Sequence, residues 1–227
     1  MFIVFDIGGT NTRIAASADG TTLSEPVIYP TPKTFEEGIV RLTTVAHTLA
    51  NGVAITAVAG GIAGPMDTKK SMLRTAPNIP DWNNKPLKQE LETRLQTKVF
   101  LENDTAMWGL GEALHGAGKG KAIVVYITVS TGVGGCRIVD STIDANVYGF
   151  EPGHMIINPE GPVCGCGGKG HLEAYTGGLA MERRLGEKAE HIHDSAIWEE
   201  EAKYLAIGML NISVMWSPHI IILGGSM

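Results

Sequence analysis

The 227-residue chain has little cysteine, no excess of positive charge and no long apolar run. Its three cysteines are an odd number with two of them one residue apart, so they build no disulfide framework; in a reducing compartment they point to a metal or to nothing. Eighteen Lys and Arg against 24 Asp and Glu leave a net charge of −6, which excludes nucleic-acid binding by bulk charge. Apolar runs such as residues 122–129 and 220–223 fall far short of the roughly 20 residues that span a bilayer. The opening Met1-Phe2-Ile3-Val4-Phe5 meets Asp6 too soon for a signal sequence and lacks a basic flank. A cytoplasmic protein is expected, with no membrane and no nucleic acid among its partners. At 44% apolar and 19% charged residues, the composition is globular and supports one large or two small cores.

What the chain does have is glycine, 29 residues, and their clustering organises the reading. An apolar strand at residues 2–5 runs into Asp6-Ile7-Gly8-Gly9-Thr10-Asn11-Thr12-Arg13 and a returning strand at 14–18. A third extended stretch reaches about Tyr29, and apolar spacing predicts a helix over 35–50, stopped by Asn51-Gly52. A buried strand at 53–59, a helix at 86–97 and a strand at 99–102 follow. From residue 122 the grammar restarts: a strand to 129, the loop Ser130-Thr131-Gly132-Val133-Gly134-Gly135, and a strand at 136–140. Helices are expected over 172–188 and 194–216, then a strand at 219–223 before Gly224-Gly225. The repeated strand, glycine loop and strand imply a duplicated α/β fold, with domains at 1–103 and 104–227.

Three constellations carry chemistry. The first glycine motif is not a P-loop, because no Gly-Lys-Ser/Thr and no helix follow it. Its backbone N–H groups, with Thr10, Asn11 and Arg13, suit an anion, and Asp6 suits a metal on a nucleotide. The plain alternative is a hairpin whose glycines supply positive φ. A matching second loop favours phosphate binding, since two such loops facing each other across a cleft would hold one polyphosphate. Next, Glu102-Asn103-Asp104 closes a strand and opens a helix at 105–115, so Asp104 is either a helix cap or a base at the carboxyl end of a strand. Finally, His154, Cys164-Gly165-Cys166 and His171 supply four N/S ligands for a closed, structural zinc site, the alternative being a crowded turn. Glycines 165, 167, 168 and 170 leave that segment no core of its own, which favours the metal.

Asp6-Ile-Gly-Gly-Thr-Asn, Glu102-Asn-Asp, Ser130-Thr-Gly-Val-Gly-Gly, Glu151-Pro-Gly-His154 and Cys164-Gly-Cys-Gly-Gly-Lys-Gly-His-Leu-Glu173, in this order, resemble the ROK family of sugar kinases and sugar-responsive repressors. The resemblance implies the actin-like, ribonuclease H-like ATPase fold, two α/β domains flanking a cleft that holds ATP, Mg2+ and a sugar. It implies that Asp104 deprotonates a sugar hydroxyl, usually that on C6. Asn103, Asp104, Glu151, His154 and Glu173, together with Gly64 and Asn78, would then line the sugar. Asp6, Gly8, Gly9, Thr10, Asn11 and Arg13 would serve the nucleotide with Ser130, Thr131, Gly132, Gly134 and Gly135. Zinc, held by His154, Cys164, Cys166 and His171, would orient His154 toward the sugar.

Two departures stand out. The family has a third cysteine where this chain has His171, and it continues beyond the motif resembling residues 218–225, so a C-terminal segment is expected to be missing. The reading is an ATP-dependent hexose kinase, glucose favoured and N-acetylmannosamine next, forming a homodimer as family members often do. The alternatives are a non-catalytic sugar- or zinc-binding fragment and a sugar-sensing regulator. Family repressors carry an N-terminal helix-turn-helix, whereas here the first phosphate loop begins at residue 6.

Overall fold

A computed structural model describes residues 1–76, 78–146 and 149–227. The chain divides into two compact units, Met1–Met107 with Asn146 and Gly149, and Trp108–Ala145 with Phe150–Met227.

In the first unit, β1 (Phe2–Ile7) and β2 (Asn11–Ser17) form an antiparallel hairpin, and β3 (Val27–Pro30) extends it. On the other side of β1, β4 (Ala57–Ile62) and β5 (Val99–Asn103) add in parallel, so the sheet order is β3-β2-β1-β4-β5. Strand β1 alternates strictly, burying Ile3, Phe5 and Ile7 on one face, as a half-buried strand must. Helix α1 (Phe35–Ala50) buries Phe35, Ile39, Leu42 and Ala46, and α2 (Leu87–Leu95) buries Leu87, Leu91 and Leu95; both stripes join the same core. Gly38 lies under Trp82, where a Cβ would sit 2.0 Å from the indole, and Phe35 meets that ring edge-on at 5.5 Å.

Strand β4 lies further along than the expected 53–59. Parallel pairing with β1, from Phe2 opposite Ala57 to Ile7 opposite Ile62, draws Gly60 and Gly61 into the strand. They are glycines because neighbours approach: a Cβ on Gly60 would lie 2.0 Å from the Phe5 ring.

Helix α3 (Asp104–Leu114) follows β5 directly, and the division between the units falls within it. The second unit repeats the pattern. Strands β6 (Ile123–Val129) and β7 (Val133–Val139) form a hairpin, β8 (Thr142–Ile143) extends it, and β9 (Ile220–Gly225) joins β6 in parallel, giving the order β8-β7-β6-β9. The expected helix over 172–188 is two, α4 (Leu172–Thr176) and α5 (Gly178–Leu185). Gly177 interrupts them with extended φ and ψ of −74° and 135°, and Gly186, at φ 75°, closes the second. Asp194 caps α6 (Ser195–Trp216), its side chain accepting the Ala196 amide at 2.9 Å. Val125, Ile127, Val133, Leu172 and Ile212 form a core of this unit. No helix among the described residues is long and apolar enough to cross a membrane.

Candidate active site and metal centre

In the first unit the glycine motif is a tight hairpin. Asn11–Arg13 belong to β2, leaving Gly8, Gly9 and Thr10 as the turn. The Gly8 amide donates to the Asn11 carbonyl at 3.0 Å, and the Thr31 hydroxyl donates to the Gly8 carbonyl at 2.7 Å. Neither glycine has positive φ, so the plain hairpin explanation of these residues fails on its own terms. Gly9 is needed for a close approach instead: a Cβ there would lie 2.6 Å from that of Asn78. Arg13 reaches Asp6 at 3.1 Å in a largely solvated pair, which contributes little to stability.

At the end of β5 the capping question resolves residue by residue. Asn103 caps α3: its Oδ1 accepts the Ala106 amide at 3.2 Å while its Nδ2 donates to the Gly64 carbonyl at 3.2 Å. Gly64 has φ 121°, a conformation only glycine adopts without strain. Asp104, half-buried, accepts the amide of the next residue, Thr105, at 2.8 Å. Burial pushes its carboxyl above the usual carboxylate range, the nearby negative Asp6 adds to the rise, and the Thr105 amide opposes it. Sequence reasoning missed a brace beside it. Lys70 Nζ bonds Glu102 Oε1 at 2.6 Å, and that oxygen also accepts the Asn103 amide at 2.8 Å. Lys70 sits at φ 51°, a conformation no local pattern marks for lysine.

In the second unit Val133, Gly134 and Gly135 lie within β7, and the turn is only Ser130, Thr131 and Gly132. Its glycines are again sites of close approach. A Cβ on Gly132 would lie 2.5 Å from Glu173 Oε2, and one on Gly135 would lie 2.6 Å from Pro152. Ser130 and Thr131 accept the amides of Gly178 and Leu179 at 2.8 and 3.0 Å, so the start of α5 is tied to the hairpin. A pocket of about 240 Å3 adjoins it, with Ser130, Thr131, Gly178, Lys188 and Ser226 in its wall. Burial raises the Glu151 carboxyl, and the Glu173 charge adds to this against the effect of His154.

His154, Cys164, Cys166 and His171 converge, with one ligand atom from each lying within 4.8 Å of all the others. His154 Nδ1 is 3.8 Å from Cys164 Sγ, and His171 Nδ1 is 3.3 Å from Cys166 Sγ. Zinc bonds of about 2.0 Å to nitrogen and 2.3 Å to sulfur imply tetrahedral edges of roughly 3.3–3.8 Å, so these two N···S separations match such an ion and the donor set suits it in chemistry. Burial pushes the Cys164 thiol up to about 11.

The ROK family model matches residues 2–227. The chain belongs to the ROK family. Its similarity to the glucokinase of Thermotoga maritima is 34% identity over 200 residues, 86% of this chain and 62% of that protein, so the match spans less than two thirds of that relative. The glucokinase of Streptomyces coelicolor is 31% identical over 259 residues, covering 98% of this chain and 80% of that one. The xylose repressor of Bacillus subtilis is 30% identical over 181 residues, covering 73% and 47%. Among solved structures, the ROK hexokinase of Thermus thermophilus superposes with a TM-score of 0.87 at 31% identity, covering 99% of this chain and 81% of that one. A Streptomyces griseus ROK glucokinase in complex with glucose and AMPPNP gives 0.80 at 29% identity, covering 99% and 82%. The paired α/β units of this ROK chain therefore have the actin-like ATPase fold.

Proposed function

We propose that the chain is an ATP-dependent hexose kinase that transfers the γ-phosphate to the C6 hydroxyl, glucose favoured and N-acetylmannosamine next. Asp104 carries the reading. It stands at the carboxyl end of β5, Asn103 takes over the capping, and burial together with Asp6 raises its proton affinity. A carboxylate so placed is suited to accept the hydroxyl proton as the sugar oxygen attacks the γ-phosphorus and the bond to the β,γ-bridging oxygen breaks, releasing ADP.

Gly64, Asn78, Asn103, Glu151, His154 and Glu173 are assigned to the sugar, whose hydroxyls carboxylates and amides recognise by pairing. Asp6, Gly8, Gly9, Thr10, Asn11 and Arg13 are assigned to the nucleotide, with Asp6 serving Mg2+, as are Ser130, Thr131, Gly132, Gly134 and Gly135. The pocket beside Ser130 suits the rest of the nucleotide. His154, Cys164, Cys166 and His171 would hold a structural zinc. With Nδ1 turned toward Cys164, the opposite ring nitrogen of His154 is left for the sugar. Thiolate ligands suit a reducing cytoplasm. A homodimer is proposed as the assembly.

The similarity to a xylose repressor supports a second reading, sugar sensing without turnover. ADP release from ATP-Mg decides between them, measured with glucose, mannose, fructose, N-acetylglucosamine and N-acetylmannosamine beside the Asp104→Asn variant. Release that depends on one sugar and is lost in the variant supports the kinase. Silence with sugars that still raise the melting temperature supports a binding-only protein.

A further inference from the structure

The second hairpin and the metal cluster touch through Glu173. One carboxylate oxygen, Oε2, accepts the Val133 amide at 2.9 Å, at the first residue of β7. The other, Oε1, lies 3.6 Å from Cys164 Sγ. Glu173 is the second residue of α4, and the candidate ligand His171 is the residue immediately before that helix. A second route runs from His154 through its chain neighbour Gly153, where a Cβ would lie 2.1 Å from the Val133 carbonyl oxygen. Both polar groups of Val133 thus face elements anchored at candidate metal ligands, and Gly132 has no room for a side chain because the same carboxylate fills it.

We infer that Glu173 is a positioning residue that couples the metal cluster to the phosphate-facing hairpin, so that metal loading sets the order of residues 130–133 and, through it, nucleotide affinity. This rests on the kinase reading only for the last step. A hairpin that cradles phosphate must present its amides in a fixed arrangement before the ligand arrives, since ordering them on binding would subtract from affinity. Glu173 supplies a charged acceptor at one amide of this hairpin, and such bonds are stronger than neutral ones. The metal would hold both ends of the support: His171 fixes the start of α4, and His154 fixes the turn that packs on Val133. With the metal removed, α4 keeps the bond of the Leu172 amide to the Met155 carbonyl at 3.0 Å and the carboxylate keeps its 3.6 Å approach to Cys164 Sγ, but both ligand anchors are lost.

The test follows amide hydrogen exchange at residues 129–134 and the affinity for AMPPNP-Mg, measured without sugar so that loss of a sugar contact cannot move the result. In Glu173→Ala the hairpin is expected to exchange faster and AMPPNP-Mg to bind about tenfold more weakly, the equivalent of one hydrogen bond to a charged acceptor. Glu173→Gln keeps an oxygen for Val133 and is expected to restore most of both. Gly132→Ala, whose Cβ displaces the carboxylate, should resemble Glu173→Ala and add little to it in the double variant. Chelating the metal should loosen the wild-type hairpin more than the Glu173→Ala hairpin, which retains only the route through His154. Exchange in β1 and α1 of the first unit reports whether a variant has simply unfolded. A hairpin indifferent to Glu173→Ala, or one loosened equally by Glu173→Gln, overturns the coupling, as does a wild-type hairpin unmoved by chelation or a protein that carries no metal. A hairpin that follows the pattern in a protein that binds no AMPPNP-Mg overturns the kinase reading and keeps the brace.

Discussion

Asn103 Oδ1 accepts the backbone amide of Ala106 at 3.2 Å, so the residue before Asp104 performs the capping that Asp104 would otherwise share. The arrangement separates two tasks that neighbouring Asn and Asp residues at a strand-to-helix junction both perform well. It leaves Asp104 with a bond to the Thr105 amide and a carboxyl whose environment favours the proton.

Replacing Asp104 with Asn is expected to reduce phosphoryl transfer by about 10²–10⁴-fold, the range of a lost general base. Sugar affinity should change little, because an amide fills the same volume and still pairs with a hydroxyl. ADP release and calorimetric sugar titration measure the two effects separately. Turnover retained in the variant removes Asp104 from the role of base.

The raised Asp104 carboxyl has opposite consequences for activity and stability. A proposed base must be deprotonated to act, so kcat/KM is expected to fall as pH drops through a value above the usual carboxylate range. For stability, the folded state binds this proton more tightly than the unfolded state, so protonation favours folding. That contribution is full below the ordinary Asp pKa of about 3.9 and is lost as pH rises through the raised folded value. Asp104→Asn should therefore be more stable than the wild type at neutral pH, with the difference shrinking in acid. Urea unfolding across that range checks the sign.

Asn103→Ala removes both the cap of α3 and the tie to Gly64, and is expected to destabilise the fold by about 1–3 kcal/mol. Asn103→Asp keeps the capping oxygen and loses only the donor, so it should cost less. Denaturant midpoints of the two variants, compared at one pH, give the answer.

Gly60→Ala and Gly38→Ala each place a methyl group 2.0 Å from a buried ring, that of Phe5 or Trp82. Overpacking of this kind is expected to cost about 1–3 kcal/mol or more. Gly52→Ala, which has open space around it but φ 80°, should destabilise for a different reason, backbone strain. Thermal unfolding compares all three.

Protein purified without added metal is expected to carry about one zinc, because four N/S ligands make one closed site. Chelation should lower the melting temperature, and Cys166→Ser should lower metal retention at equal folding. Elemental analysis showing no metal would make the Cys164-Gly165-Cys166 segment an ordinary turn.

Several features were legible in the order of residues alone. An apolar run marked β1, and the 3.6-residue stripe of α1, with its boundaries at Phe35 and Ala50, followed from periodicity and from the Asn51-Gly52 stop. The recurrence of strand, glycines and strand exposed the duplication, because each half must build the same hairpin beside a parallel strand. The grouping of His154, Cys164, Cys166 and His171 was also visible, since soft ligands in a glycine-rich stretch have few other uses. These signals are local: period, spacing and side-chain chemistry belong to neighbours in the chain.

Tertiary structure decided the rest. Gly60 and Gly61 look like strand breakers until pairing with β1 fixes the register and Phe5 occupies the space of a Cβ. Gly177 looks compatible with one long helix until its extended conformation separates α4 from α5. The glycines of both hairpins look like turn formers of positive φ, yet Asn78, Glu173 and Pro152 are what they make room for. Whether Asn103 or Asp104 capped α3 depended on the Gly64 carbonyl, 39 residues away, which holds the Asn103 side chain. The chain's own pattern determined which elements form and which chemistry they carry. Contacts between residues far apart in sequence determined what each glycine is for and which carboxylate stays available, because steric exclusion and proton affinity depend on neighbours that only folding brings close.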